Sequence, residues 1–153
     1  RHPAAEVQTF ELPNPKAVEQ RVLLKGTFLL DGHTPFVFVS THLDYSSPET
    51  QELQAKYIIP NLPADSIPAV LAGDFNALAT SPALTLLAED GAVLSGDAPT
   101  YPAKAPEKRL DHIFGFPKAA FRLESTSEGP AGDNAASDHL PVISTILVDF
   151  SKK

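Results

Sequence analysis

The sequence predicts an α/β fold (α+β in some schemes) built on a mixed β-sheet. Extended apolar runs at 21–30, 35–41, 67–72, 110–116, 120–126 and 142–150 supply the strands. A helix signal lies between the runs 35–41 and 67–72, and a helical crossover joins parallel strands. Asp31-Gly32, between the first two runs, is hairpin chemistry and joins antiparallel ones.

Each element has its own local cause. Residues 7–12 alternate apolar and polar side chains, as an edge strand does, until Pro13-Asn14-Pro15 breaks the run. Phe36-Val37-Phe38-Val39 is continuously apolar, which suits a buried strand. Ser47-Pro48-Glu49 opens a helix with an N-cap, a proline in the first turn and an acid at the positive dipole end. Leu53, Tyr57 and Ile58 are its expected apolar face, and Pro60 stops it. Ser81-Pro82 opens a second helix through Leu84, Leu87 and Ala88, which Gly91 ends. Segments 95–108 and 127–137 read as loops. No repeat or shift in composition divides the 153 residues, so a single domain is expected.

Composition narrows the function classes. A net charge of −7 is opposite to the basic track that grips a nucleic-acid backbone, so nucleic acid is not the favoured partner. The absence of cysteine leaves oxygen and imidazole as metal ligands. No apolar run approaches the length of a transmembrane helix, which predicts a soluble chain. The compartment stays open. A start at Arg1 and the lack of methionine suit a processed secreted or periplasmic protein, or one whose N-terminal portion has been removed.

Four segments put acids, a histidine or an amide where apolar runs begin or end. They are Ser40-Thr41-His42-Leu43-Asp44, Gly73-Asp74-Phe75-Asn76-Ala77, Arg109-Leu110-Asp111-His112-Ile113-Phe114 and Ser137-Asp138-His139-Leu140-Pro141-Val142. His42 and Asp74 end their strands, whereas Asp111 and Asp138-His139 begin theirs. If strands 36–41 and 67–72 run one way and 110–115 and 142–148 the other, all four segments meet on one rim of the sheet. Such a rim can bind a divalent cation and move a proton, which phosphate-ester hydrolysis requires. An Asp74 carboxylate can coordinate Mg²⁺ or handle a proton, and the Asn76 amide can orient phosphate or water. His112 neighbours Asp111, so alternation turns it to the other face, as a packing residue. His2 and His33 are expected in solvent, and Phe36, Phe38, Phe114 and Phe116 in the core.

In this order and spacing, T-H-x-D, G-D-F-N-A, D-H-I-F and S-D-H-L-P-V resemble the endonuclease/exonuclease/phosphatase superfamily from about Arg21 to Val148. The group includes deoxyribonuclease I, abasic-site endonucleases, bacterial sphingomyelinases and inositol-polyphosphate 5-phosphatases. The resemblance implies the C-terminal half of a four-layered α/β sandwich, two face-to-face sheets with helices outside. It implies Mg²⁺ (or Mn²⁺) as cofactor, held by Asp138 and Asp74. It pairs His139 with Asp111, so that His139 takes a proton from the attacking water, and it has His42 donate to the phosphoryl oxygens. The family's N-terminal half normally adds an early Asn and a metal-binding Glu, and neither motif precedes Arg21.

Two residues admit two readings each. Asp44 shares the His42 face if the strand continues, or caps the loop ahead of the helix. Arg109 reaches a substrate phosphate, or is a solvated strand-end arginine. The expected activity is hydrolysis of a phosphodiester or phosphomonoester. The alternative is a truncated or degenerate relative acting as a non-catalytic binding module. Half a sandwich would expose an apolar sheet face, so self-association or pairing with the missing N-terminal portion is also expected.

Overall fold

Asp31 and Gly32 turn the first hairpin with φ of 52° and 77°. Two successive positive φ values twist the turn in step with its strands, which is why Asp-Gly is favoured there. In the computed structural model, which describes residues 2–16, 19–130, 132 and 136–152, this hairpin joins β2 (Val22–Leu30) to β3 (Thr34–His42). The strand β1 (Ala4–Glu11) pairs antiparallel with β2 and forms one edge of the sheet. Helix α1 (Pro48–Ile58) carries the chain from β3 to its parallel neighbour β4 (Ala69–Asp74). Helix α2 (Pro82–Asp90) leads to the short β5 (Ala92–Val93), and β6 (Asp111–Phe116) inserts between β4 and β5, antiparallel to both. The strand order is β1-β2-β3-β4-β6-β5, mixed as expected.

Both helices start as their sequences dictate. Ser47 accepts from the Thr50 amide at 3.2 Å and Ser81 from the Leu84 amide at 3.3 Å. Each cap contributes about 1 kcal/mol. The buried side of α1 matches the expected one at Ile58, with Tyr57 partly buried, but not at Leu53. It is Thr50, Gln51, Gln54, Ala55 and Ile58, while Leu53 is 44% exposed. The glutamines bury because each finds backbone partners there. Gln54 Oε1 accepts from Asp44 N and its Nε2 donates to the Pro13 carbonyl.

The sheet packs on both faces. Toward the helices, Val37, Val39, Leu71, Phe75 and Phe114 form the main core with Ile58, Leu84 and Leu87. On the other face, Val70, Leu94, Ala120 and Phe121 form a smaller core with Ile113 and Ile146. That core lies under an antiparallel pair, β7 (Phe121–Glu128) and β8 (Val142–Val148). The order is thus helices, six-stranded sheet, two-stranded sheet. The last expected strand belongs to a second sheet, not to the rim of the first.

Coverage of that second face is incomplete. Val7, Leu24 and Phe38 occupy it over β1–β3 and are 60%, 44% and 42% exposed. Phe38 therefore departs from its expected core place, whereas Phe114 and Phe116 are buried and Phe36 is partly so. On β8, Ile143 and Leu147 are also exposed. His2 and His33 are exposed as expected. The segment 95–108 contains a bridge between Tyr101 and Lys108, so it is not wholly irregular. The expected loop 127–137 lies partly outside the described residues, as does Arg1. Among the described residues, no helix is long and apolar enough to cross a membrane.

Candidate active site

His42, Asp74 and Asp111 are directly opposed on three adjacent strands, His42 to Asp74 and Asp74 to Asp111. Opposed residues put their side chains on the same face. Parity places that face away from the helices, because Val39, Leu71 and Phe114 point the other way into the main core. The row is possible because Gly73 lets β4 lie close against β3. A Cβ at Gly73 would sit 1.9 Å from the Thr41 carbonyl oxygen.

The chain turns sharply after Asp74. Asp74 Oδ1 accepts from the Asn76 amide at 2.8 Å, and Asn76 takes a positive φ of 49°, which asparagine tolerates better than most residues. The Asn76 side-chain NH₂ donates to the Leu43 carbonyl at 3.0 Å. Gln51 Nε2 donates to both the Asn76 and Asp44 carbonyls, so α1 clamps the ends of β3 and β4 together. The second Asp74 oxygen, Oδ2, is left for two imidazoles. His42 Nε2 is 3.3 Å from it and His139 Nε2 is 3.7 Å.

His139 arrives from the segment before β8. Its Nδ1 is 2.8 Å from Asp111 Oδ2, and the Tyr101 ring packs beside it with centroids 4.8 Å apart. A carboxylate on Nδ1 fixes the tautomer with a proton there and leaves Nε2 as the basic atom. Burial pushes the His139 pKa down. The hydrogen bond to Asp111 and the charges of Asp111, Asp74 and Asp138 outweigh burial, and the pKa is raised overall. His139 and Asp74 thus lie on one side of the molecule.

Other expected site residues sit elsewhere. Asp44 is 1% exposed, and its Oδ1 accepts from the Ser46 and Ser47 amides and the Ser46 hydroxyl. It caps the loop ahead of α1 and takes no part in the cleft. Arg109 is neither solvated nor free for a phosphate, being 7% exposed. Its guanidinium donates to the Asp111, Ala98 and Ser95 carbonyls and pairs with Glu128 at 2.6 Å. That set of acceptors pins β6 to β7 from inside. His112 faces the helices as expected, edge-on to Phe75 and 3.1 Å from the Ala77 carbonyl.

A cleft of about 810 Å³ opens over the row, lined by His42, Asp74, Asn76, Asp111, Asp138 and His139, with Arg21, Tyr45, Tyr101 and Lys108 on its walls. Thr100 and Tyr101, in the stretch Thr100-Tyr101-Pro102 to Arg109-Leu110-Asp111 that shares in the resemblance, are further contacts of the site to which no role was assigned from sequence. Thr100 is a polar residue that folds to full burial beside Asp111, a contact that only the tertiary fold creates.

Among the described residues, Asp74, Asp111 and His139 bring ligand atoms within 4.8 Å of one another. Asp138, the expected partner of Asp74, is outside that group and exposed on the cleft wall. Asp111 Oδ2 and His139 Nδ1 are already engaged with each other, so Asp74 and Asp138 remain as the carboxylates turned to the cleft. Mg²⁺ and Mn²⁺ suit such a set, because hard cations take oxygen and Mg²⁺ often rests on one or two carboxylates plus substrate oxygens.

The sequence matches the Endonuclease/Exonuclease/phosphatase family over residues 1–139. The chain belongs to this family. Membership supports phosphoester hydrolysis as its general chemistry, and it agrees with the motifs read above. No curated protein sequence matches the chain. Solved structures do. An endonuclease/exonuclease/phosphatase from Bacteroides vulgatus is 22% identical with a TM-score of 0.79, over 97% of this chain and 67% of that one. A mannosyl-6-phosphatase from Bacteroides thetaiotaomicron VPI-5482 is 21% identical with a TM-score of 0.73, over 95% and 67%. The human Nocturnin catalytic domain with bound sulfate anion is 20% identical with a TM-score of 0.78, over 97% and 60%. At these identities the likeness establishes the Endonuclease/Exonuclease/phosphatase fold, and the chain spans about two thirds or less of each relative's length.

Proposed function

We propose that this chain carries the reaction centre of a Mg²⁺-dependent (or Mn²⁺-dependent) phosphoesterase, hydrolysing a phosphodiester or phosphomonoester by in-line attack of water. One observation supports this above the rest. The His139–Asp111 pair points its basic Nε2 at the carboxylate of Asp74, with His42 on the same oxygen. An oriented base beside a second acid and a second imidazole is an arrangement for moving protons at a phosphoryl group.

His139 Nε2 takes the proton of the attacking water, and Asp111 stabilises the imidazolium that forms. His42 donates to a phosphoryl oxygen as negative charge grows on it. Asp74 stands between the two rings, placed to hold or pass a proton at Oδ2. Asn76 fixes the turn that aims Asp74 and borders the cleft. Asp74 and Asp138 would hold the cation. When bound, Mg²⁺ supplies neutralisation of charge on the phosphoryl oxygens.

A tetrahedral anion as ligand is supported by the mannosyl-6-phosphatase among the fold relatives and by the sulfate in the Nocturnin domain. The overall charge of −7, with Arg21 and Lys108 confined to the cleft wall, favours a small or lipid-like ester over DNA. We hold the chain to be the C-terminal portion of a larger sandwich, completed by an N-terminal portion or by a second copy. The bare apolar patch of Val7, Leu24 and Phe38 supports that reading.

A second reading, a non-catalytic binding module, is favoured by one feature. Asp111 Oδ2 is already bonded to His139 and Thr100, which leaves Asp74 and Asp138 as the carboxylates open to a cation. One experiment separates the two. Bis(p-nitrophenyl) phosphate and p-nitrophenyl phosphate are offered with Mg²⁺ or Mn²⁺, alongside calorimetric titration of the metal. The hydrolase reading expects metal binding, turnover, and a loss of at least about a hundredfold in His139→Ala. Silence in turnover and calorimetry alike would support the binding module.

A further inference from the structure

Thr100 has no role in the chemistry above, yet it is fully buried against the Asp–His pair. We infer that Thr100 is a positioning residue for this centre, holding the Asp111 carboxylate in the rotamer that fixes His139. The inference rests on the hydrolytic reading for its consequence in turnover, and on geometry alone for its effect on the imidazole.

The direction of the hydrogen bonds can be deduced. The Leu110 amide is 3.4 Å from Thr100 Oγ1 and can only donate, so the hydroxyl accepts there. Its single proton is then free for Asp111 Oδ2, 2.5 Å away. That length is typical of a hydroxyl bound to a carboxylate. The same oxygen takes the Nδ1 proton of His139 at 2.8 Å. Oδ2 is thereby held from two sides.

The backbone of Thr100 is equally fixed. Its amide donates to the Lys108 carbonyl at 2.8 Å, and its carbonyl accepts from the Leu140 amide at 2.8 Å. The next residue, Tyr101, lays its ring beside His139. Thr100 thus ties together the start of β6, the 100–108 loop and the segment bearing His139. Asp111 heads its strand with its side chain partly exposed, 22% by area. Without the hydroxyl, little else confines its torsions. His139 would then lose its orienting acceptor, and a neutral imidazole left to itself drifts toward the proton on Nε2, which abolishes the base.

The test uses Thr100→Val, which keeps shape and removes the hydroxyl, and Thr100→Ser, which restores it. The tautomer of neutral His139 is read by long-range ¹H–¹⁵N correlation in the metal-free chain above its pKa, without substrate. The wild type and Thr100→Ser are expected to carry the proton on Nδ1, and Thr100→Val to shift toward Nε2. With bis(p-nitrophenyl) phosphate and Mg²⁺, Thr100→Val is expected to lose at least about tenfold in kcat with KM within twofold. That is what a lost hydrogen bond to a charged group costs. Thr100→Ser should recover most of it. An unchanged tautomer in Thr100→Val overturns the inference, whatever the rate does. A shifted tautomer with wild-type kcat overturns the link to turnover. A wild type that hydrolyses neither ester contradicts the hydrolytic reading instead, and the tautomer still decides the role of Thr100.

Discussion

Asp74 divides its two oxygens between structure and chemistry. Oδ1 closes the turn onto Asn76, and Oδ2 faces His42 and His139. His112, the chain neighbour of Asp111, and His139, its hydrogen-bond partner, are driven in opposite directions by their surroundings. Burial among Phe75 and Phe114 lowers the pKa of His112. At His139 burial also lowers it, but the bond to Asp111 and three acidic charges prevail and raise it. Linkage fixes the consequences. The His112 contribution is present above the unfolded pKa of about 6.5 and is lost as pH falls through the folded value. The His139 contribution is present below about 6.5 and is lost as pH rises through its folded value. Urea midpoints measured in EDTA between pH 5 and 8.5 test both. His112→Phe should flatten the loss on the acid side, and His139→Gln should flatten the loss on the alkaline side. The same slope in each variant as in wild type would contradict the assignment.

At the scale of elements, the row of side chains depends on how close β3 and β4 lie. Gly73→Ala would put a methyl group 1.9 Å from the Thr41 carbonyl, so the strands must part at the site. We expect a loss of about 1–3 kcal/mol or more in stability, by urea denaturation, and a fall in hydrolysis larger than stability alone explains. A variant of wild-type stability would show that β3 and β4 are not so closely apposed. Much at this scale was legible in the sequence. Asp31-Gly32, the Ser-Pro helix starts and the crossover set strand directions, and directions brought the first three motifs to one rim, while the fourth arrives from the segment before β8 of the second sheet. What was not legible has a common cause. The burial of Gln51 and Gln54 was not foreseen, and Arg109 was read as a strand-end cation or a phosphate contact, because pattern arguments price polar side chains as exposed. Each found buried backbone acceptors that only the tertiary fold creates. The role of Thr100 was not legible for the same reason. Asp138, which the resemblance implies as a metal ligand with Asp74, stands exposed on the wall of the same cleft while its neighbour His139 turns in toward Asp111.

At the scale of the whole molecule, one sheet face is filled at one end by β7 and β8 and bare at the other. Val7, Leu24 and Phe38 offer water an apolar patch of the kind soluble monomers limit. We expect the isolated chain to self-associate in light scattering, and Phe38→Lys to shift it toward monomer without disturbing helix content. A monodisperse monomer at all concentrations would contradict an interface there. The cleft and its acids lie at the strand ends of this sheet, so an added layer would border the site as well as cover the patch.

The central claim is that Asp111 and His139 act as a unit against phosphorus. Its most direct test is a double-mutant cycle on kcat/KM for bis(p-nitrophenyl) phosphate with Mg²⁺, using Asp111→Ala, His139→Ala and both together. If the pair is the base, each single change costs at least about a hundredfold and the double variant is scarcely worse than His139→Ala. Losses that multiply, or singles that keep the wild-type rate, would contradict the account.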